Sequence, residues 1–210
     1  MRERTANANQ LRSLLHEYGI TIAQGISHVR NGVPLILKDE TNGLTTRGRE
    51  LFFDLYIELK NLDIKIDEYD KKIAALCGDN SICKLLCKLP GIGSLTATAV
   101  VALVGNIKVF KNGREFAAYL GLVPKQHSSG GKSRLLGISK RGDRYVRCLL
   151  IHGARSALFR AKNMSISKAN WLKELIARRD FNCAVVALAN KNARTIWALM
   201  TKGEKFVWNT

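Results

Sequence analysis

From Leu55 to Leu76 the apolar residues fall at alternating steps of four and three: Leu55, Leu59, Leu62, Ile66, Tyr69, Ile73 and Leu76. No other segment restricts the fold as tightly. Only an α-helix puts residues at that spacing on one seam, and a sustained seven-residue repeat asks for a partner helix along it. Glu58, Lys60, Lys65, Glu68, Lys71 and Lys72 stand outside the seam, as on a solvated helix face. Residues 48–77 are therefore predicted to form one long helix. Upstream, residues 3–18 read as another, with Leu11, Leu14, Leu15 and Tyr18 on one face and Gly19 as its stop. Residues 19–47 hold Gly25, Gly32, Pro34 and Gly43 and read as a connector with room for one short helix. Two helices flanking a connector make an antiparallel coiled-coil arm over residues 1–79. An ordinary bundle helix gives the same spacing, and a seam this regular also suits self-association; sequence leaves these readings open.

Residues 80–210 read as a second, all-α domain. SICKLLCK (81–88) is a short helix, LPGIG breaks it, and SLTATAVVALVG resumes as a helix with Ala97, Val100, Val101 and Val104 inward. This is a helix-hairpin-helix pattern. Gly91 and Gly93 permit a tight turn and close approach to a phosphate, and the following helix start offers free N–H groups and a positive dipole end. A plain turn between packed helices is the competing reading. Asn112 with Glu115 marks a capped helix carrying Phe116, Tyr119 and Leu120, which Gly121 ends. Residues 121–142 form a glycine-punctuated loop. Asp143 then caps a helix to about Ala161, with Val146, Leu149, Leu150, Ala154 and Ala157 on one side and Arg144, Arg147 and Arg155 expected on the other. Trp171 starts a short helix with Leu172, Leu175 and Ile176. A last helix, Asn182 to Thr201, places Val186, Ala189, Ala193, Ile196 and Met200 on its apolar face, with Lys191 and Arg194 turned away. Strand-like alternation is scarce, so the fold class is mainly α: a helical arm followed by a helix-hairpin-helix domain with a glycine- and serine-rich basic loop.

Charge narrows the function. The 210 residues carry 34 Lys and Arg against 17 Asp and Glu, a net +17. Residues 1–88 hold 13 basic and 12 acidic side chains; residues 89–210 hold 21 and 5. So one-sided an excess implies a polyanionic partner, because phosphate neutralisation and counterion release dominate such interfaces. A membrane-surface role would call for an amphipathic basic helix or a lipidation signal, and neither is evident. No apolar run spans a bilayer, and the start RERTANANQ is not a signal peptide. Five cysteines, Cys77, Cys83, Cys87, Cys148 and Cys183, lack paired metal spacing and read as reduced thiols in a cytoplasm, serving as small core residues rather than zinc ligands.

The densest chemistry lies in PKQHSSGGKSRLLGISKRGDRYVR, residues 124–147. Ser128 and Ser129 sit beside a glycine pair in a field of Lys125, Lys132, Arg134, Lys140, Arg141, Arg144 and Arg147. A hydroxyl on a polar cationic loop suits attack on a phosphodiester, or simple phosphate binding. His127 could serve as general base or as a phosphate hydrogen-bond donor. Ser139 reads as a phosphate donor or a cap, and His152 as structural.

CKLPGIGSLTATAVVALVG followed by FKNGREFAAYLGLVPKQHSSGGKSRLLGISKRGDRYVRCLLIHGARSAL resembles the C-terminal domain of insertion sequence 110 family transposases and their 1111 subgroup. RERTANANQLRSLLHEYGI is similar to the region before that family's coiled coil. The resemblance implies a DNA recombinase in which an N-terminal ribonuclease-H-like domain supplies four metal-binding acids and the C-terminal domain a nucleophilic serine. Together they form a covalent phosphoserine link to DNA with Mg²⁺ as cofactor, some members being guided by a structured bridge RNA. Carried onto this chain, the nucleophile is Ser129, with Ser128 as alternate. Lys132, Arg134, Lys140 and Arg141 position phosphates, and the PGIG hairpin and arm bind nucleic acid or assemble subunits. The sequence begins at the arm, so the expectation is a truncated or split transposase without its own metal site, inactive alone. It would bind DNA, or complement an acid-bearing N-terminal fragment, or self-associate through the arm. A non-catalytic helix-hairpin-helix protein that clamps DNA or RNA is the alternative.

Overall fold

A computed structural model describes residues 1–127, 135–162, 174, 176–178 and 180–203. The chain divides into two compact units, Met1–Lys72 and Ile73–Thr210. The fold is mainly helical, as the periodicities require.

The first unit packs α1 (Arg2–Glu17) and α2 (Ile26–Lys38) on α3 (Thr46–Asp79), whose last residues belong to the second unit. Leu11 and Leu15 of α1, Val29 and Val33 of α2, and Phe52 and Leu59 of α3 form the core. Each such burial stabilises the fold by about 1.5–3 kcal/mol. The order of the polar contacts sets direction: Arg4 meets Asp63 and Asn7 meets Glu58, while Arg30 also meets Asp63 and Arg49 reaches Leu37, so α1 and α2 both run antiparallel to α3.

The connector is more ordered than its glycines suggest. Pro34 lies inside α2 and has no N–H for the carbonyl of Arg30, and that oxygen accepts the Tyr56 hydroxyl at 3.3 Å instead. At the end of α2 the Arg49 guanidinium donates to the carbonyls of Ile36, Leu37 and Asp39 (3.3, 3.0 and 2.8 Å), oxygens a helix end leaves without intrahelical partners. The arm is thus a three-helix packing rather than a two-helix coil. Its seam is covered unevenly: Leu59 is fully buried and Leu55, Leu62 and Ile66 half-buried, whereas Tyr69 and Leu76 are 62% and 64% exposed.

The second unit contains α4 (Ser81–Leu86), α5 (Ser94–Val104), a 3₁₀ turn (Ile107–Val109), α6 (Gly113–Tyr119), strands β1 (Pro124–Gln126) and β2 (Leu135–Ile138), α7 (Arg144–Lys162) and α8 (Phe181–Lys202). The caps read from sequence hold: Asn112 accepts from the amides of Arg114 and Glu115, and Asp143 accepts from Val146 at 2.7 Å. Asp180 caps α8. Helices α4, α6 and α7 all pack on α8, which therefore buries a broader face than the narrow stripe expected. Ala184, Val185, Leu188, Ala189, Asn192, Ala193, Thr195, Ile196 and Leu199 are buried, while Val186 and Met200 are only half-buried. Trp171, Leu172 and Leu175 lie outside the described residues; Ile176 packs against this core.

α8 also holds three turns. Asn190 Nδ2 donates to the Leu122 carbonyl (3.1 Å), Asn192 Nδ2 to that of Pro90 (2.9 Å), and Trp197 Nε1 to that of Phe110 (3.0 Å). Of the cysteines, Cys77, Cys83 and Cys87 sit in or against this core, with the Cys77 and Cys87 sulfurs 3.5 Å apart, and all five are free thiols.

Candidate nucleic-acid interface

Residues 121–142, read from sequence as an irregular loop, carry a two-stranded antiparallel stem. Pro124 pairs with Ile138 and Gln126 with Leu135, so β2 holds one residue more than β1 over that interval and bulges at Leu136–Gly137. Below the strands the Ser139 amide donates to Val123 (2.8 Å) and the Lys140 amide to Gly121 (3.1 Å). Strands of three and four residues that pair only with each other are too short for alternation to register. Ser128 and Ser129, together with Lys132 and Arg134, lie outside the described residues; in the chain they fall between β1 and β2.

The foot of this stem is tightly packed. Gly142 has φ +84°, and a Cβ there would lie 1.8 Å from the Tyr119 carbonyl, so no other residue fits without displacing backbone. Lys140, with φ +56°, is left-handed without that excuse. Such a residue costs on the order of 1–2 kcal/mol, which the packed stem foot must offset.

Arg147 corrects the sequence reading. It was expected on a solvent face with Arg144 and Arg155, yet it is only 7% exposed. Its Nη1 sits 3.1–3.4 Å from the carbonyl oxygens of Leu120, Arg141, Gly142 and Asp143. The helical wheel explains the error: Arg147 precedes Leu150 by three residues and Ala154 by seven, so it belongs to the buried stripe. Its role is to tie the end of α6 to the stem foot and the start of α7. It is not presented to an external phosphate.

The hairpin glycines divide in the same way. Gly91 has φ +82°, and a Cβ on it would meet the Gly153 carbonyl of α7 at 2.3 Å. Its lack of a side chain serves internal packing, and Asn192 holds the preceding Pro90 carbonyl. Gly93, by contrast, is exposed at the start of α5, where an added Cβ would meet nothing within 4 Å.

Lys125, His127, Lys140, Arg141 and Arg144 are all exposed. Lys140 also lines a groove of about 1590 Å³ between the stem, the start of α6, α7 and α8. Four further cations line it, Arg114, Arg155, Lys191 and Arg194; of these the sequence directs only Arg155, on the arginine stripe of α7, toward backbone phosphate. The signal for two was visible: Lys191 and Arg194, three apart on α8, share a face. No acidic residue is among the described residues that line the groove. Arg155 donates to Asn182 Oδ1 at 3.1 Å. Burial, and after it the charge of Arg194, lowers the Lys191 ammonium below its ordinary pKa. The deeper lining is apolar: Leu122 and Val185 are buried, and Ile138, Val186 and Trp197 half-buried.

Among the described residues no group of three or more His, Cys, Asp or Glu is arranged to hold a metal ion. Burial, with the neighbouring Cys77 sulfur, pushes the Cys83 and Cys87 thiols up, Cys87 to about 11. Among the described residues no helix is long and apolar enough to cross a membrane.

Residues 83–171 match the family described as Transposase IS116/IS110/IS902. The chain is 48% identical over 206 residues to the transposase for insertion sequence element IS1111A of Coxiella burnetii, covering 98% of the chain and 57% of that protein. It is 43% identical over 204 residues to the "Probable family 20 transposase" of Pseudomonas aeruginosa, with 96% and 60% covered. With the transposase for IS1328 of Yersinia enterocolitica the identity is 35% over 206 residues, covering 98% and 61%. The chain thus spans roughly three fifths of the length of these relatives.

Proposed function

Since the chain belongs, through residues 83–171, to the Transposase IS116/IS110/IS902 family, we propose that it is the DNA-handling, serine-bearing part of an insertion-sequence transposase acting in the cytoplasm. The observation that carries this reading is the exposed cationic surface around the hairpin stem: Lys125, His127, Lys140, Arg141 and Arg144, with Gly93 and the start of α5 as a further phosphate contact. These groups neutralise backbone phosphates and set the register of DNA beside the tip of the stem.

In the catalytic step the Ser129 oxygen attacks the phosphorus of a phosphodiester. A serine–phosphate bond forms and the bond to one strand's terminal oxygen breaks. The serine proton passes to a base, for which His127 is the nearest residue in sequence, and the departing oxygen takes up a proton. Ser128 is the alternate nucleophile. The acids of the composite site come from a ribonuclease-H-like domain, no step being assigned to a metal held by the described residues. A structured bridge RNA and a second copy, engaged through the uncovered end of the arm seam, are the further partners.

The test supplies the acid-bearing domain in trans with element DNA, bridge RNA and Mg²⁺, and looks for a covalent protein–DNA species. Loss of that species in Ser129→Ala supports the assignment; loss only in Ser128→Ala moves it by one residue. A covalent species that survives both changes rejects a serine nucleophile in this loop. DNA binding without any covalent species in the intact protein would favour the alternative, a binding module that does not cut.

A further inference from the structure

We propose that the groove beside the hairpin stem holds an unpaired DNA strand, its bases against the apolar lining and its phosphates on the surrounding cations. This rests on the reading of the chain as a DNA-handling protein and specifies what one of its surfaces takes.

Arg114, Lys140, Arg155 and Arg194 are exposed around a depth lined by Leu122, Val185 and Val186. A duplex presents phosphate and sugar at its convex surface and keeps its base faces stacked inside, so seating one here would press charge against hydrocarbon. A single strand escapes that conflict, because its bases rotate inward and stack on apolar or aromatic surface, here beside Trp197, while the backbone follows the cations. An amphipathic peptide could match the lining, yet it would need carboxylates as dense as these cations. A nucleic-acid strand brings one negative charge with every nucleotide. DNA is the strand assigned because the chain is read as a DNA-handling protein, and the neutral polar side chains of the groove are already partly engaged within the protein. Asn182 Oδ1 accepts from Arg155, Asn190 Nδ2 donates to the Leu122 carbonyl, and the Thr195 hydroxyl donates to the Lys191 carbonyl at 2.9 Å. None of these atoms is reserved for a ribose 2′-hydroxyl. Ile138 and Lys140 belong to the stem and its foot, so a strand lying here passes directly beside the element that brackets Ser128 and Ser129.

The experiment uses the full chain with poly-dT, poly-rU and a mixed-sequence duplex of equal length, each fluorescently labelled. The double variant Arg114→Glu/Arg194→Glu changes two exposed side chains and is expected to weaken poly-dT about tenfold or more. The same variant should flatten the salt slope by about 1.4, roughly 0.7 for each lost phosphate contact, and leave the duplex within about twofold. An independent footprint needs no substitution: Cys183 is exposed and lines the groove, whereas Cys148 is exposed elsewhere on α7. Saturating poly-dT should slow alkylation of Cys183 by N-ethylmaleimide and leave Cys148 unchanged. Full-rate alkylation of Cys183 under saturating poly-dT overturns the proposal, as does an equal loss of duplex and poly-dT binding in the variant. Tighter binding of poly-rU at the same footprint overturns the DNA assignment in favour of RNA. If an acidic amphipathic peptide protects Cys183 and poly-dT does not, the occupant is a protein. A chain that binds none of the oligonucleotides defeats the broader DNA reading; one that binds duplex while both groove readouts fail defeats only this inference.

Discussion

In residues 1–72, 11 Lys and Arg are matched by 11 Asp and Glu, and Asp63 draws in both Arg4 and Arg30. In residues 73–210, 23 stand against 6, and the buried Arg147 donates to backbone carbonyl oxygens. Both units bury leucine, valine and phenylalanine in similar cores. What differs is the balance of charge: acids match the cations in the first unit and are far outnumbered by them in the second. Arginine shows the contrast most clearly. Arg49 and Arg147 each serve loose carbonyls at a helix end, so not every cation of the basic unit is offered to a polyanion. Net charge alone overstates the binding surface, and burial subtracts from it.

The sharpest way to break this comparison is Arg147→Leu. Removing the guanidinium strands buried carbonyls, and the expected loss is about 2–4 kcal/mol of stability in denaturant unfolding. A loss below about 1 kcal/mol would return Arg147 to the binding surface. Charge reversal at Arg141 and Arg144 should next lower duplex affinity about tenfold, with the salt slope falling by about 1.8. The same reversal at the exposed Lys65 and Lys71 of the balanced unit should leave both unchanged; comparable effects in the two units would dissolve the distinction. Asp63→Asn should cost about 1 kcal/mol, since its ion pairs are partly solvated. The pH dependence follows from the same carboxylate: hydrogen bonding from Arg30 holds Asp63 below its usual pKa. The unfolded chain therefore takes up the proton first, and stability present above about pH 4 is lost as pH falls toward the lowered value. The Asn variant should flatten that acid limb of a melting-temperature series. The smallest effect concerns Cys87, whose thiol is pushed up to about 11 chiefly by burial. Here the folded form keeps its proton longer, so stability declines from about pH 9 upward. Cys87→Ala should lessen the decline.

Where local rules govern, the sequence was legible. The Asn112 and Asp143 caps, the break at Pro90–Gly91 and the long helix carrying Leu55 to Leu76 all depend on neighbours within a few residues, and all appear as read. Where distant segments decide, the reading failed. Arg147 lies on the apolar stripe by simple helical arithmetic, but the carbonyls that accept it lie partly outside its helix, at Leu120 and Arg141. The breadth of the buried face of α8 depends on three helices that reach it from elsewhere in the chain. Gly91 resembled a phosphate turn because it sits in a PGIG break between two helices, and only the nearness of Gly153 gives the packing reason for its positive φ. The cations of the groove come from α6, the stem foot, α7 and α8, so no window of sequence contains them together.

Asn190, Asn192 and Trp197 ride on one rod, and each grips a different bend of the chain. Those bends share a single ruler, and none can be lengthened or slid independently of the graduations on α8. An inserted residue in any of them must be looped out on the spot, so length variation here is confined to stretches that the rod does not hold.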